Sequence, residues 1–413
     1  MNKRTRSDAL TSTVSWESLE AFARLKIQSW FQELLEQEVT ELLGREHHER
    51  RAAVDGGGGY RNGYGKARRL SMQSGTITVR RPRVRGLEER FESRLLPLFA
   101  RRTQEVGALL PELYLHGLSQ GDFELALRGL LGTGAPLSAS SIARLRGKWQ
   151  YEYDEWRQRR LDDRELVYAW ADGIYVKAGL EREKAALLVV IGAMSDGRKE
   201  VLAVEPGYRE STESWASLLR GLRDRGLSAP KLWVADGNLG MWAALSQVWP
   251  ATPGQPCWNH KIINVLDQLP RKLQAQAREL LCQIPYAPSR AEARRRRESF
   301  ARRYRRTYPR AVAILEKNWD AMVTFYDFPE AHWKHLRTTN VVESPFASVK
   351  LRTTAAKRYK KVENATALIW KVLCVAENRF RKLDAPELLG SVYTDARFVD
   401  GKLVRQEVRR EVA

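Results

Sequence analysis

The segment VYAWADGIYV, residues 167–176, together with AALLVVIGAM, residues 185–194, decides the fold class of this chain. Both segments are rich in aliphatic and aromatic residues, a pattern typical of strands buried on both faces. The turn sequence SDGR at residues 195–198 ends the second segment. A third short strand is then predicted over KEVLAV, residues 199–204.

Two helices and one more strand follow these strands. Trp215, Leu218 and Leu222 recur at helical spacing and predict a helix over residues 211–222. Residues 231–235 read as a strand that ends at an aspartate, and residues 238–248 as a second helix. The order strand, strand, strand, helix, strand, helix indicates an α/β layer with an antiparallel start and a parallel crossover. This is the order of a ribonuclease H-like sheet.

The charge of the chain points to a polyanionic partner. Its 413 residues include 70 Lys and Arg against 50 Asp and Glu, a formal net charge of +20, which favours nucleic acid or an anionic membrane. The longest apolar segment, residues 185–194, is about half the length that a membrane span needs. Residues 1–9 lack the apolar core of a secretory signal. We therefore expect a DNA partner and no membrane association.

The other composition data are consistent with an intracellular globular protein. Apolar residues make up 43% of the chain, enough for a substantial core, and three cysteines exclude a disulfide framework. We therefore expect a cytoplasmic location.

Two aspartates share the same local context, WADG around Asp172 and VADG around Asp236. Taken singly, each Asp-Gly pair is typical of a turn that ends a strand. Two carboxylates on neighbouring buried strands would repel each other unless a cation lay between them. In this strand order and in so basic a chain, we interpret Asp172 and Asp236 as metal ligands.

Glu343 is the candidate third ligand, within LRTTNVVES at residues 336–344. If Asn340 caps the helix, Glu343 occupies its third position, where a capping box is the alternative interpretation. Glu343 and Lys350 are seven residues apart, which predicts a shared helical face suited to gripping a phosphodiester. The flanking segment is strongly basic, with Arg337, Lys350, Arg352, Lys357, Arg358, Lys360 and Lys361.

At this point the chain resembles the bacterial Mutator-type insertion-sequence transposases over about residues 20–383. The segments that carry the resemblance are GYRNGY at 59–64, the Asp172 strand with IYVK at 174–177, Asp236-Gly237, CWNHK at 257–261 with NVL at 264–266, and LRTTN at 336–340 through Glu343 to KLRT at 350–353. The Asp-Gly motifs alone are common in proteins, whereas the last two segments are specific.

The resemblance implies a DDE triad of Asp172, Asp236 and Glu343 holding two Mg²⁺ ions, with Mn²⁺ as an alternative. It implies an α/β ribonuclease H-like catalytic core interrupted by an all-α insertion, with a mostly helical N-terminal DNA-binding region. The gap of 343 − 236 = 107 residues has room for that insertion. The implied activity is cleavage at the 3′ ends of an insertion sequence and strand transfer, by a copy-out route with a circular intermediate.

The implied partners are double-stranded DNA, as terminal inverted repeats and target, and further copies of the chain in a homodimer or larger oligomer associated with the nucleoid. A ribonuclease H-like nuclease or resolvase without strand transfer, and a DNA-binding regulator without activity, are the alternatives. Residues expected to contact DNA are Arg61, Arg144, Arg146, Lys148, Arg294, Arg295, Arg296, Arg297, Arg337, Asn340, Lys350 and Arg352.

We divide the chain into seven segments. They are an amphipathic helix for dimerisation or DNA binding (1–54), a basic glycine-rich and β segment (55–102), a helix-turn-helix-like domain (103–160), the first part of the core (161–260), the all-α insertion (261–335), the second part of the core with Glu343 (336–384) and a polar C-terminal tail (385–413).

Cys257 and His260 form a Cys-x-x-His pair, the spacing of half a zinc site. His332 and His335 could supply the other half. A buried thiol beside a hydrogen-bonded histidine is the alternative. We predict the alternative, with both residues beneath the active site and His260 near Asp236 or the DNA backbone.

Overall fold

The structure, a computed structural model, describes residues 15–49, 58–119, 122–131, 139–178, 184–207, 209–237 and 239–404. The chain divides into two compact units, Met1–Leu145 and Arg146–Ala413.

The first unit packs a long helix against a small β structure. A 3₁₀ turn (Trp16–Ser18) leads into α1 (Leu19–Leu43), and α2 (Gln104–Leu115) and α3 (Asp122–Leu131) follow the strands. The strands form two antiparallel pairs, β1 with β4 and β2 with β3; their bounds are β1 (Tyr60–Tyr64), β2 (Arg68–Met72), β3 (Gly75–Val79) and β4 (Pro82–Arg85).

The core of this unit joins Leu35 of α1 to Leu70, Ile77 and Leu96, all of them buried. Alternation of apolar and polar residues along β2 and β3 produces this arrangement, because one face of the hairpin covers α1 while the other stays polar.

Helix α4 (Ala139–Trp156) spans the boundary between the two units. It lies within residues 103–160, for which the sequence predicts a helix-turn-helix-like domain. Within the second unit, the Tyr153 hydroxyl of α4 donates to the Val204 carbonyl at 2.7 Å.

A five-stranded mixed sheet forms the centre of the second unit, in the order β7-β6-β5-β8-β9. Strand β6 is antiparallel to both of its neighbours, whereas β8 is parallel to β5 and to β9. The antiparallel start and the parallel crossover are therefore confirmed. The bounds are β5 (Leu166–Val176), β6 (Ala185–Met194), β7 (Lys199–Gly207), β8 (Leu232–Ala235) and β9 (Gly254–Pro256). Strand β9 was not predicted, because three residues give no alternation to recognise.

Helices α5 (Thr212–Asp224) and α6 (Leu239–Val248) cover one face of this sheet. Ser211 caps helix α5: its hydroxyl accepts the Ser214 N–H at 3.2 Å and so satisfies a free amide of the first turn. The buried cluster beneath the two helices includes Trp215, Leu219, Trp233 and Leu245.

Every regular element between residues 258 and 336 is helical, as the sequence predicts for residues 261–335. These elements are α7 (Trp258–Leu266), α8 (Arg271–Gln283), α9 (Arg290–Tyr304), α10 (Pro309–Glu316), α11 (Trp319–Met322), two 3₁₀ turns (Thr324–Asp327 and Glu330–His332) and α12 (Trp333–Leu336). The helices that follow are α13 (Asn340–Glu343), α14 (Phe346–Ala356) and α15 (Val362–Glu377). Among the described residues, no helix is long and apolar enough to cross a membrane.

The chain continues to fold after residue 385, where the sequence interpretation placed a polar tail. A 3₁₀ turn (Pro386–Leu388), α16 (Leu389–Tyr393) and a hairpin of β10 (Phe398–Val399) and β11 (Lys402–Leu403) are present. Leu389, Val392 and Phe398 are buried. The prediction failed here because three apolar side chains in a polar segment are too few to reveal a packed element.

Candidate active site

The register of the sheet places Asp172 and Asp236 side by side. Strands β5 and β8 pair Ala171 with Ala235, so the next residue of each strand is one of the two aspartates. Asp172 lies inside β5, opposite Val189 of β6, and therefore does not end its strand. Asp236 directly follows β8. Each carboxylate accepts the backbone N–H of the glycine after it, Gly173 at 2.8 Å in the first case and Gly237 in the second.

The environment of Asp172 is unfavourable for a bare carboxylate. Burial, followed by the charges of Glu343 and Glu210, raises the pKa of Asp172 to about 7, although the Gly173 N–H and His260 oppose the shift. Several carboxylates at one edge of a sheet therefore repel each other. A divalent cation would relieve this repulsion, and a set of carboxylate oxygens suits Mg²⁺ or Mn²⁺.

Glu343 reaches this edge from helix α13, whose cap differs from the prediction. The cap is Thr339, not Asn340. The Thr339 carbonyl accepts the Glu343 N–H at 3.0 Å, and the Thr339 hydroxyl donates to Glu343 Oε1. The carboxylate is thus held by the cap side chain rather than by a capping box.

Asn340 has an exposed side chain, and its Oδ1 accepts from Asn259 Nδ2 at 3.3 Å. Helix α13 ends at Glu343, and Lys350 belongs to α14. The two residues lie on separate helices, so their spacing alone does not place them on one face.

Cys257 and His260 lie at the same edge of the sheet. Cys257 Sγ, a His260 ring nitrogen and a Glu343 carboxylate oxygen all lie within 4.8 Å of one another. His260 Nδ1 is 3.6 Å from Asp236 Oδ1, the neighbour we predicted for it. The hydrogen-bonding contact with Cys257 is the main cause that raises the pKa of His260 to about 9, aided by Asp236 and Glu343 and opposed by burial. The imidazole is therefore positively charged at neutral pH.

The second histidine pair is engaged elsewhere. His332 Nδ1 is 2.9 Å from the Tyr168 hydroxyl and its Nε2 is 3.2 Å from the Ala385 carbonyl. His335 pairs with Asp384 at 3.4 Å. Within the described part of the chain, neither histidine joins the group of close ligand atoms around Cys257. The four-ligand zinc set is therefore not assembled.

Glu210 is a fourth carboxylate in this region, in addition to Asp172, Asp236 and Glu343. The sequence alone does not predict it. Its side chain is 9% exposed, and a Cβ on Gly173 would lie 2.2 Å from Glu210 Oε1. Burial, followed by a hydrogen bond to Glu210, raises the pKa of Tyr175 to about 12. Arg209 and Glu210 both have positive φ angles, 48° and 53°. A two-residue left-handed bend without glycine leaves no sequence signal.

Several cations that were expected to contact DNA are occupied inside the protein. Arg352 is 2% exposed. Arg61 donates to Thr40 Oγ1 at 2.7 Å and pairs with Glu36 at 3.2 Å. Arg352 is therefore corrected to a structural role, because a phosphate cannot reach an enclosed guanidinium. Arg61 is half-buried, and its contact with DNA stays a prediction.

The remaining predicted contacts vary in exposure. Arg297 stacks on Trp319 at 4.3 Å from the ring centroid, and Arg337 stacks on Tyr286 at 4.6 Å. Arg296 is half-buried and donates to the Gln283 carbonyl at 2.6 Å. The exposed residues are Arg144, Arg146, Lys148, Arg294, Arg295, Asn340 and Lys350.

The two Asp-Gly glycines give a matched pair of substitutions. Gly173→Ala places a Cβ 2.2 Å from Glu210 Oε1, whereas a Cβ on Gly237 meets nothing within 4 Å. We expect Gly173→Ala to lower the free energy of unfolding by about 1–3 kcal/mol, as overpacking does. Gly237→Ala should be nearly neutral. Adding Glu210→Ala to Gly173→Ala should restore part of the loss in urea unfolding; no recovery would show that the two residues are not in contact.

The shifted pKa of Asp172 predicts a pH dependence in metal-free protein. The folded-state pKa lies above that of the unfolded chain, so the folded state binds the proton more tightly and loses stability as pH rises from about 4 to 7. Asp172→Asn removes this loss. In EDTA, the variant should therefore gain stability relative to the parent chain between pH 4 and 7, with no further gain above pH 7. A pH-independent difference in chemical unfolding would contradict the assigned environment.

Comparisons with known proteins identify the family of this chain. Residues 2–382 match the family model "Transposase, Mutator family". The chain is 44% identical over 298 residues to the transposase for insertion sequence element IS6120 of Mycolicibacterium smegmatis, a match that covers 72% of this chain and 92% of the relative. It is 40% identical over 278 residues to the transposase for IST2 of Acidithiobacillus ferrooxidans, covering 67% and 94% of the two chains. It is 30% identical over 346 residues to the transposase for ISRM5 of Rhizobium meliloti, covering 83% and 84%. This chain therefore belongs to the Mutator family of transposases.

Proposed function

We propose that this chain is a DDE transposase that binds the inverted-repeat ends of its insertion sequence and catalyses Mg²⁺-dependent 3′-end cleavage and strand transfer. The observation that carries the proposal is the meeting of Asp172, Asp236 and Glu343 around His260, in a chain of the Mutator family. Three sequence-distant carboxylates share one edge of a buried sheet, although their charges oppose one another. Divalent cations bound between the carboxylates would offset this repulsion.

The sheet supports a ribonuclease H-like core. Its strands lie in the order β7-β6-β5-β8-β9, and β6 is opposite in direction to the other four. The sequence order that indicates a ribonuclease H-like sheet contains four of these strands, and β9 adds a fifth. The two aspartates lie on the two central parallel strands or directly after them. Glu343 lies in the segment that follows the helical insertion, where the chain comes back to the sheet.

The chemistry follows from the donor set. Mg²⁺ held by these carboxylates would stabilise the attacking and leaving oxygens of an in-line phosphoryl displacement. Asp172 is fixed by the sheet and by the Gly173 N–H, and Glu343 by the Thr339 hydroxyl. Their oxygens are therefore preorganised before DNA binds. His260 places a positive charge beside Asp236, where a phosphodiester would approach.

The reaction consists of two displacements at phosphorus. Water first attacks a phosphodiester at the element end and frees a 3′-hydroxyl. That hydroxyl then attacks a second phosphodiester: a new bond forms from its oxygen to phosphorus, and the bond to the 3′-oxygen of the attacked strand breaks and leaves a free 3′-hydroxyl there. Neither step requires a covalent bond between the protein and DNA, so the residues of the chain need only bind, orient and shield the reacting groups.

The exposed cations supply non-specific attraction to DNA. Arg294 and Arg295 project from α9, and Arg146 and Lys148 from α4. Clustered arginines contact phosphates, which position the duplex, more than they read bases. Residues that recognise the inverted repeats would be a separate set.

The triad predicts the phenotype of three variants. Asp172→Asn, Asp236→Asn and Glu343→Gln should each abolish cleavage and joining of a labelled element end in Mg²⁺, while binding in a gel-shift assay persists. The substitutions keep the side-chain shape but remove the charge that holds the cations.

Asp196→Asn is the matched control for these variants. Asp196 also precedes a glycine, but it lies in the exposed turn between β6 and β7 and pairs with Arg198, so cleavage should be unaffected. Near-normal cleavage by any of the three triad variants would remove that residue from the metal site. Cleavage by the parent chain without joining would instead assign a nuclease.

The α9 surface predicts a change in salt dependence. Arg294→Gln with Arg295→Gln should weaken binding to all DNA sequences alike and lower the slope of log K against log salt by about 0.9 for each phosphate that the protein no longer neutralises. Arg296→Gln is the control, because Arg296 is half-buried and donates to the Gln283 carbonyl. An unchanged slope in the double variant would show that α9 faces away from DNA.

A further inference from the structure

Glu343 depends on a junction between two distant parts of the chain. The Cys257 N–H donates to the Ala235 carbonyl at 2.8 Å, which ties the start of α7 to the residue before Asp236. The next amide, Trp258 N–H, donates to the Arg337 carbonyl at 2.9 Å. Two consecutive residues thus connect the end of β8 to the segment that enters α13.

The Cys257 side chain continues this junction towards Glu343. Its Sγ lies 3.4 Å from the Thr339 N and 3.2 Å from Thr339 Oγ1. Thr339 has no exposed surface, and its hydroxyl also contacts Glu343 Oε1. Water cannot replace these partners in a site that is closed to solvent.

The hydrogens that are available determine which group donates between Thr339 and Glu343. A threonine hydroxyl has one hydrogen, and an ionised carboxylate can only accept. The Thr339 hydrogen therefore goes to Glu343, and the 3.2 Å contact between the sulfur and Thr339 Oγ1 holds that hydroxyl in place. Cys257 Sγ in turn accepts the Thr339 N–H.

We propose that Cys257 is a positioning residue for the reaction, acting through the Thr339 hydroxyl to orient the Glu343 carboxylate towards the ends of β5 and β8. This inference rests on the proposed function of Glu343. It gives the cysteine of the Cys-x-x-His pair a mechanical role, while His260, one turn later, lies beside Asp236.

The test uses the full chain and measures metal affinity as well as activity. The variants are Thr339→Val, which keeps the shape but removes the hydroxyl, Thr339→Ser, which restores it, Cys257→Ala and Cys257→Ser. Cys282→Ala is the control, since Cys282 lies on α8 outside the junction. The readouts are the Mg²⁺ concentration for half-maximal end cleavage, Mn²⁺ binding followed by electron paramagnetic resonance without DNA, and the thermal unfolding midpoint.

Thr339→Val should weaken metal binding by about 10- to 100-fold, as the loss of a partner that orients a ligand typically does. Thr339→Ser should remain close to the parent chain. Cys257→Ala should act in the same direction as Thr339→Val, and Cys257→Ser should recover part of the loss. The double variant of Cys257→Ala with Thr339→Val should be no worse than Thr339→Val alone, because both act on one path.

Three results would overturn the inference. The first is a lower unfolding midpoint in the Thr339→Val and Cys257→Ala variants with unchanged metal dependence, which would leave a structural role only. The second is additive effects in the double variant. The third is one zinc per chain that is lost in Cys257→Ala. Glu343→Gln is measured alongside: if it still cleaves DNA, the proposed triad fails, whereas normal metal affinity in Thr339→Val rejects only the positioning role.

Discussion

Mutual repulsion between carboxylates at one sheet edge is the constraint on which the rest of this structure depends. Asp172 is held by its strand, Asp236 by the end of the neighbouring strand and Glu343 by a four-residue helix. Each would move away from the others if its backbone were free. Burial and nearby charge raise the pKa of Asp172 to about 7, so keeping this carboxylate ionised at the sheet edge lowers the stability of the folded chain. Strain of this kind is retained where function requires preorganisation.

The helical insertion makes that preorganisation harder, because it separates Asp236 from Glu343 by 107 residues in sequence. Closing so long a loop costs conformational entropy. Contacts between the two ends of the insertion, where the chain comes back to the sheet, must offset that cost. The backbone bonds from Cys257 to Ala235 and from Trp258 to Arg337 lie at this point. Gln255 and Trp258 add bonds to the Met322 carbonyl at 3.0 and 2.8 Å. The two ends of the insertion are thus fastened to the sheet beside the site.

The net charge of +20 is divided between two different uses. Arg352 is enclosed in the protein, and Arg61 is half-buried and donates to the Thr40 hydroxyl. Others, such as Arg294 and Arg295, remain on the surface. A guanidinium with its apolar stem can serve either purpose, since it stacks, donates in a plane and stays charged when half-buried. Composition therefore predicts the kind of partner but not which arginine meets it.

Local patterns in the sequence determined the strands, the main helices and the two Asp-Gly sites. Strands β5 and β6 were predictable because both segments are rich in aliphatic and aromatic residues, and β6 is a run of ten apolar residues. Helix α5 was predictable because its apolar residues recur at helical spacing. Glu343 was found from its basic flanks and from family resemblance. Tertiary structure alone decided that Thr339 caps α13, that Glu210 lies against Gly173 and that His332 turns to Tyr168 rather than to Cys257. It also decided that residues 386–403 fold. These features depend on contacts between residues far apart in sequence, and no local periodicity records which side chains a folded chain brings together.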